Sequence, residues 1–568
     1  MTYMHEQDLL FQQGSSPAED GVPEPRFSVN TDDGMLIERN QAVSLTDGTV
    51  IYLDVFRPEG EQDVPALIAW GPYGKHNGGA VYQQFKDESG NQGGGVKPEW
   101  LSAYTTFEGP DPRQWCDNRY AVINVDPRAT WWSAGDYATF WDEREAHDTV
   151  DVIAWAGTQP WCNGKVGMSG VSYLAVAQWW AASLRPPYLA AINPCEGLSD
   201  VYREFAFHGG IPSNFPTFWL KHRLKYSTTK VEAIADMMVD HPLDDSYWDT
   251  KRPDLSKIDV PAYVIASWSD QGLHTRGTLA AFEQISSPHR YLEVHGRKKW
   301  EYYHQPSTVN RQRQFFDRYL KDIDNGVDDW PPIRLETRIS SYHGVERTPT
   351  AWPPPETTFR RLFLDAGAHT LTEQAPQVEA TARYEAGKDS ADDTSFDYTF
   401  TSPVDVIGGM KLRLWVEADG SDDMDMYVAI KKIDRDGNTV DFPFANVLEQ
   451  GPTALGWLRV SHRSVDSDRS SDNRPWHTHL REDKLSAGQI VDVDIEIWPS
   501  GTRFEAGEGL RLLLRGSDFY TGAVMSRHLE TRNNGNHLLH TGGSKYDSFL
   551  VIPMLPVEPS STDWPADD

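Results

Sequence analysis

The segment WCNGKVGMSGVSYLAVAQWWAA, residues 161–182, carries the residues best placed to do chemistry. A serine that attacks an acyl carbon must be lifted off the end of a strand on a strained turn. It needs small neighbours so the backbone can fold tightly, and a helix N-terminus beyond it to help hold the oxyanion. KVGMSG reads as the strand, Ser172 as the turn and Tyr173 onward as the helix, with Gly170 two residues before the serine and Ala175 three after it. The strict G-x-S-x-G spacing is not met. Ser169, the competing serine, falls inside the strand, where its side chain would face packing. The same pattern also suits an ordinary strand-to-helix turn with a capping serine, and by itself it leaves both readings open.

The elements that would position Ser172 can be read on either side of it. PALIAW (65–70), YAVINVD (120–126), KVGMSG (165–170), YLAAIN (188–193), PAYVIASW (261–268) and RYLEVHG (290–296) are short apolar runs of the kind buried on both faces of a sheet. Helical patterns at Glu143–Gly157, Tyr173–Leu184, Gly272–Ile285 and Val309–Lys321 alternate with them, so a mainly parallel α/β sheet is expected. Upstream, LIERNQAVSL and TVIYLDVFRP flank Thr46-Asp47-Gly48, a hairpin signal. Residues 196–257 break the rhythm with aromatic, mixed-charge helical patterns and read as a helical lid inserted between 31–195 and 258–327. From 328 to 568 the period becomes two (KLRLWVEA, VDVDIEIWP, LRLLLRGSDF), which predicts an all-β domain. Residues 1–30 read as a flexible arm and Glu558–Asp568 as a frayed tail.

Composition narrows the function classes. The chain has 568 residues and a formal net charge of −31, against the basic surface that a nucleic-acid binder or an anionic membrane surface calls for. Three cysteines, Cys116, Cys162 and Cys195, allow at most one bridge and no CxxC metal site. The longest mostly apolar segment, Tyr173–Leu184, is shorter than the roughly 18 residues of a membrane span. The first residues show no basic start followed by an apolar stretch, and a soluble, cytoplasmic protein is expected.

GKVGMSGVSYLAVAQW resembles the elbow of the cocaine esterase and Xaa-Pro dipeptidyl-peptidase family of serine hydrolases, in which Gly-x-Ser-Tyr carries the nucleophile. VINVDPRATWWSAGD and EAHDTVDVIAWAGTQPWCNG are similar to that family's strand, Arg-containing loop and helix ahead of the elbow. GPYGK (71–75) matches its Pro-Tyr oxyanion loop, and residues 461–480 and 491–519 look like its C-terminal jelly roll. The resemblance spans about residues 35–555. It implies an α/β-hydrolase with a lid and a galactose-binding-like jelly roll, acting on an ester, amide or short peptide through an acyl-enzyme, with no cofactor and no metal. Ser172 is then the nucleophile, and the Tyr73 hydroxyl and Tyr173 N–H are the oxyanion donors. Tyr73 also suits a plain packed aromatic in its turn.

Asp270, ending YVIASWSD, takes the family position of the acid; it would equally suit an N-cap for the following helix. The base is the open point. The family pattern after the last strand is Gly-Pro-Trp-x-His, whereas this chain reads YLEVHGRKKWEYYHQ, with Lys298 or Lys299 near the expected histidine. His295, at the strand end, is the preferred base and His304 the alternative; a lysine base or a site without a base stays open.

In the lid, Glu196, Asp200 and Glu204 are spaced to share a helix face. Relatives acting on α-amino substrates grip the ammonium with carboxylates, so this face could do likewise, or be a solvated acidic face. Phe215 and Trp219, with Phe205, Phe207 and Phe218, suit either an apolar acyl or leaving-group pocket or lid packing. The pairs His537/His540 and His477/His479 lack an HExxH context, and Asp434–Asn438 reads as a hairpin turn, not a calcium loop. An Xaa-Pro dipeptidyl aminopeptidase or α-amino ester hydrolase is the alternative activity. A non-catalytic binding protein and a metallohydrolase are the other classes, and homo-oligomerisation is left open.

Overall fold

The computed structural model describes residues 6–76, 78–85, 94–387, 390–522, 527–528, 531–558 and 562–565. The first five residues of the expected arm, and 559–561 and 566–568 of the expected tail, lie outside these.

One sheet organises the first part of the chain. Its strands are β1 (Ser28–Asp32), β2 (Met35–Ser44), β3 (Val50–Pro58), β4 (Val64–Trp70), β5 (Ala121–Asp126), β6 (Cys162–Val171), β7 (Leu189–Cys195), β8 (Ala262–Ser267), β9 (Arg290–His295), β10 (Ile333–Ser340) and β11 (His343–Arg347). Their spatial order is β1-β2-β3-β5-β4-β6-β7-β8-β9-β10-β11. Pairing is parallel from β5 through β10 and antiparallel at both edges. β4, β5 and β8 are buried at every position, the pattern expected of apolar runs covered by helices on both faces. Besides a short helix at Pro112–Asp117, the helices that matter here are α1 (Glu143–Gly157), α2 (Tyr173–Ser183), α3 (Thr275–Gln284), α4 (Lys299–His304) and α5 (Pro306–Leu320). Val122, Ile123, Val166, Met168, Ile192, Val264 and Ile265 join one core with Val176 of α2 and Phe315 and Phe316 of α5. Each such side chain contributes roughly 1.5–3 kcal/mol, which holds firmly the strand ends that carry the site.

The segment between β7 and β8 contains a π-helical turn at Tyr202–Ala206 and α-helices at Phe215–His222, Ile234–Asp240 and Ser246–Asp249. The N-terminal segment differs from a flexible arm. Phe11–Gln13 pairs with Lys230–Glu232, and Ser15 N–H donates to Lys225 O at 2.7 Å.

Beyond β11 the chain is all β. Antiparallel groups run through Val404–Asp419, which pairs with Val491–Phe504 on one side and with Asn536–Thr541 and Phe549–Leu555 on the other. A further group joins Asp393–Thr399, Gly509–Arg515, Asp425–Ile433 and Ala454–Arg459. Leu412, Leu414, Ile430, Ile495, Leu512 and Leu550 meet in a second core, and the buried-then-intermediate alternation from Met410 to Ala418 is the period-two signal of KLRLWVEA. The parallel sheet does not stop at 327: β10 pairs parallel with β9, so the chain leaves that sheet only after β11. The tail also returns to it. Trp564 is buried and its N–H donates to Gly344 O at 2.9 Å, covering the edge strand β11 instead of fraying. Among the described residues no helix is long and apolar enough to cross a membrane.

Candidate active site

Ser172 stands between the end of β6 and the first residue of α2, with φ 60° and ψ −114°. A non-glycine residue in that conformation is strained, and small neighbours make it attainable. Gly170 has φ 150°, and a Cβ there would lie 2.5 Å from Leu174 Cβ. The Ser172 N–H is tied to Cys195 O at 3.0 Å, and its carbonyl accepts from Ala175 and Val176, so the hydroxyl is held at the sheet's rim. Ser169 is buried between Asn193 Oδ1 at 3.1 Å and the Tyr303 hydroxyl at 2.9 Å, as its place inside the strand implies.

The histidine beside Ser172 is His274. Its Nε2 lies 3.1 Å from Ser172 Oγ, and its Nδ1 lies 2.5 Å from Asp270 Oδ2. An imidazole whose Nδ1–H donates to a carboxylate presents a bare Nε2, able to accept the serine proton. Asp270 follows β8 on a tight turn: its carbonyl accepts from the N–H groups of His274 and Thr275, which opens α3. Four residues make one helical turn, so acid and imidazole face each other.

Burial depresses His274 first, Lys299 adds to this and Asp270 opposes it, leaving a pKa of about 4. Burial alone would raise Asp270, but Lys299 and His274 hold it well below the usual carboxylate range.

His295, the base expected from the sequence, is elsewhere. Its Nδ1 accepts from Arg297 N–H at 3.1 Å, its Nε2 lies 3.4 Å from Glu196 Oε1, and its ring stacks on Tyr302 at 3.7 Å. Nδ1 is thus engaged and Nε2 faces Glu196 rather than the serine, and burial lowers the pKa of His295 to about 3. His304 is also displaced, buried with Nε2 2.9 Å from the Tyr82 hydroxyl. The family pattern points to the loop after β9 and away from His274, whose one signal in the chain is its four-residue spacing from Asp270 in S-D-Q-G-L-H, residues 269–274.

Tyr73 is buried, its hydroxyl accepts from Trp219 Nε1 at 3.2 Å, and it is in hydrogen-bonding contact with Ser172. Burial pushes that phenol well above its ordinary value, so it remains a donor. Tyr173 is the first residue of α2, where backbone N–H groups have no intrahelical acceptor. Its side chain points away, donating to Glu145 Oε1 at 2.5 Å.

Glu196, Asp200 and Glu204 do not form a common substrate-facing surface. Residues 196–200 are not helical, and all three groups are buried and engaged. Glu196 accepts from Ser267, Asp200 pairs with Arg203 and Arg252, and Glu204 pairs with Arg276 at 2.7 Å.

Phe215 and Trp219 do meet Ser172, in a cavity of about 280 Å³ whose walls also include Tyr73, Phe107 and Trp300. Gln84, Lys299, Arg223 and Glu108 interrupt this apolar lining. Arg223 lies over the Phe85 and Phe107 rings, and Glu108 is held by burial at a pKa of about 7. The all-β domain supplies part of the wall through Ala445 and Val447. That loop is locked by Ala445 N–H to Ser269 O at 2.9 Å and Lys299 N–H to Asn446 Oδ1 at 3.1 Å.

Comparison with known proteins agrees with this architecture. The family model for X-Pro dipeptidyl-peptidase of the S15 family matches residues 47–231, and that for the X-Pro dipeptidyl-peptidase C-terminal non-catalytic domain matches 325–551. A solved CocE/NonD family hydrolase from Staphylococcus aureus is 39% identical, with TM-score 0.86 over 95% of this chain and 98% of its own. The cocaine esterase of a Rhodococcus species is 23% identical over 91% of this chain and 98% of its own length. An aminopeptidase from a marine-sediment Thaumarchaeota archaeon shares the fold at 16% identity, with TM-score 0.68 over 94% of this chain and 99% of its own. The chain belongs to the CocE/NonD branch of the cocaine esterase and X-Pro dipeptidyl-peptidase family, and is a serine hydrolase of ester or amide bonds.

Proposed function

We propose that this protein is a carboxylesterase-like enzyme in which Ser172 is the nucleophile, His274 the general base and Asp270 the acid that orients it. The observation that carries this is the continuous chain Ser172 Oγ–His274 Nε2, His274 Nδ1–Asp270 Oδ2 at a strained elbow. Ser172 Oγ attacks the acyl carbon as its proton passes to His274 Nε2. The oxyanion accepts from the Tyr73 hydroxyl and the Tyr173 N–H, and collapse of the intermediate returns the proton to the leaving group. Water then repeats the sequence on the acyl-enzyme. The serine–aspartate–histidine chain order is kept.

An apolar cavity walled by Phe107, Phe215, Trp219 and Trp300 favours esters with hydrophobic acyl or leaving groups. Because Glu196, Asp200 and Glu204 are engaged elsewhere, nothing in that trio favours grip of a substrate ammonium. We further read the all-β part as a jelly roll that closes one side of the cavity, and 196–257 as its lid.

Ser172→Ala should lower aryl-ester hydrolysis by on the order of 10⁴-fold or more and abolish labelling by a fluorophosphonate probe. Labelling that persists in this variant would refute the assignment.

A further inference from the structure

Where the family pattern expects a histidine, this chain places Lys299, at the start of α4, and its ammonium is inside the site. Lys299 Nζ donates to Asp270 Oδ2 at 3.1 Å and lies 3.2 Å from His274 Nδ1. One carboxylate oxygen therefore serves two donors, the imidazole N–H and the ammonium. All three residues are buried, so solvent does little to screen them.

Resting on the serine-hydrolase reading above, we propose that Lys299 is a positioning residue. Its ammonium clamps Asp270 and opposes the positive charge that His274 acquires when it takes the serine proton.

The surrounding charges fit this role. Glu196 lies behind Asp270: one ligand atom each of Glu196, Asp270 and His274 falls within 4.8 Å of the others. Asp270 Oδ1 is buried without a hydrogen-bond donor, and Glu196 Oε1 faces His295 Nε2 at 3.4 Å without a hydrogen bond; a proton held between the two carboxyls would offset their repulsion. Burial and the neighbouring Asp270 do raise Glu196 well above the carboxylate range. The resting site then balances one ammonium against one shared negative charge. Glu108 faces Lys299 from the cavity side; burial works against the ammonium, but Asp270, Glu108 and Glu196 together keep Lys299 charged. Lys299 cannot itself be the base, since a permanently protonated amine has no lone pair to accept the serine proton.

A cation fixed beside the imidazole makes it harder to protonate, so the base stays competent in acid. The test is the pH profile of kcat/KM on a neutral aryl ester for the full-length protein, with Lys299→Met, Lys299→Gln and Lys299→Arg beside Ser172→Ala. The parent's acid limb should lie near 4, the value set by His274. Both neutral variants should move that limb upward by at least about one pH unit, a tenfold gain in proton affinity, while the arginine variant stays near the parent.

A merely structural lysine predicts that glutamine, which can still hydrogen-bond Asp270, restores the parental profile. An unmoved limb in either neutral variant would overturn the proposal while Ser172→Ala remains inactive. Retained hydrolysis in Ser172→Ala would instead sink the reading on which it rests.

Discussion

Ser172 holds φ 60°, a conformation that costs a non-glycine residue on the order of 1–3 kcal/mol. The cost is met by a glycine at 170 and by backbone hydrogen bonds on both sides of the serine, and the return is a hydroxyl presented at the sheet rim. Tyr73 is the second residue on which rate should depend. Held by Trp219 Nε1 and buried, its hydroxyl has one proton to give, and it faces Ser172. Tyr73→Phe removes that donor with little change of shape, so kcat should fall about 10²–10³-fold with KM nearly unchanged; steady-state kinetics on an aryl ester checks this. A fall in KM-derived affinity with kcat intact would mean the phenol binds substrate without serving the oxyanion. The elbow around Ser172 leaves a local mark in the chain, whereas Asp270, Tyr73 and Tyr173 took their expected roles from the family resemblance. The histidine could not be assigned the same way: a general base is defined by what its nitrogens touch, and strand-end position alone favoured His295.

At the scale of elements, the strands were legible because burial on both faces leaves unbroken apolar runs, as in PALIAW and YAVIN. Helix α1 was legible from its apolar periodicity, and α2, buried all round, as an apolar run too long for a buried strand. What the sequence left obscure was contact between elements distant in the chain. Glu196, Asp200 and Glu204 look like a free acidic face until Arg203 and Arg252 are seen to pair with Asp200, Arg276 with Glu204, and Glu196 is seen buried against Ser267. The N-terminal segment looks like an arm until Phe11–Gln13 is seen to pair with Lys230–Glu232. The turn that leads into α3 delivers the base four residues after the acid, and α4 brings Lys299 to the position where the family pattern has its histidine.

The whole molecule binds its parts through buried polar contacts. The all-β domain reaches the cavity through Ala445 and Val447 and ties to α3 through Arg276 and Glu496 at 3.0 Å. Histidines cluster where it meets the segment between β7 and β8: His208 Nδ1 lies 2.8 Å from His528 Nε2, and His462 Nδ1 lies 3.0 Å from His479 Nδ1.

Among the described residues, burial lowers nine histidines, including His208, His462, His477 and His479. The unfolded chain therefore binds more protons than the folded one as pH falls through about 6.5, and stability present above that pH is lost on acidification. Six carboxyls raised by burial, Glu108 and Glu145 among them, act in the opposite sense but are fewer. The thermal midpoint should accordingly fall between pH 7 and pH 5, which differential scanning calorimetry can follow; a midpoint that rises over that range would show the carboxyls to dominate. The net charge of −31 bears on solubility and long-range repulsion, whereas the cavity itself carries Arg223 and Lys299 against Glu108.

The central claim is that the proton leaves Ser172 for His274. Hydrolysis of one neutral aryl ester by His274→Ala and by His295→Asn, each checked for folding by circular dichroism, tests it most directly. The geometry predicts a loss on the order of 10⁴-fold in kcat/KM for His274→Ala and a value within about tenfold of the parent for His295→Asn, whose nitrogens are turned away from the serine. An active His274→Ala beside an inactive, folded His295→Asn would contradict it.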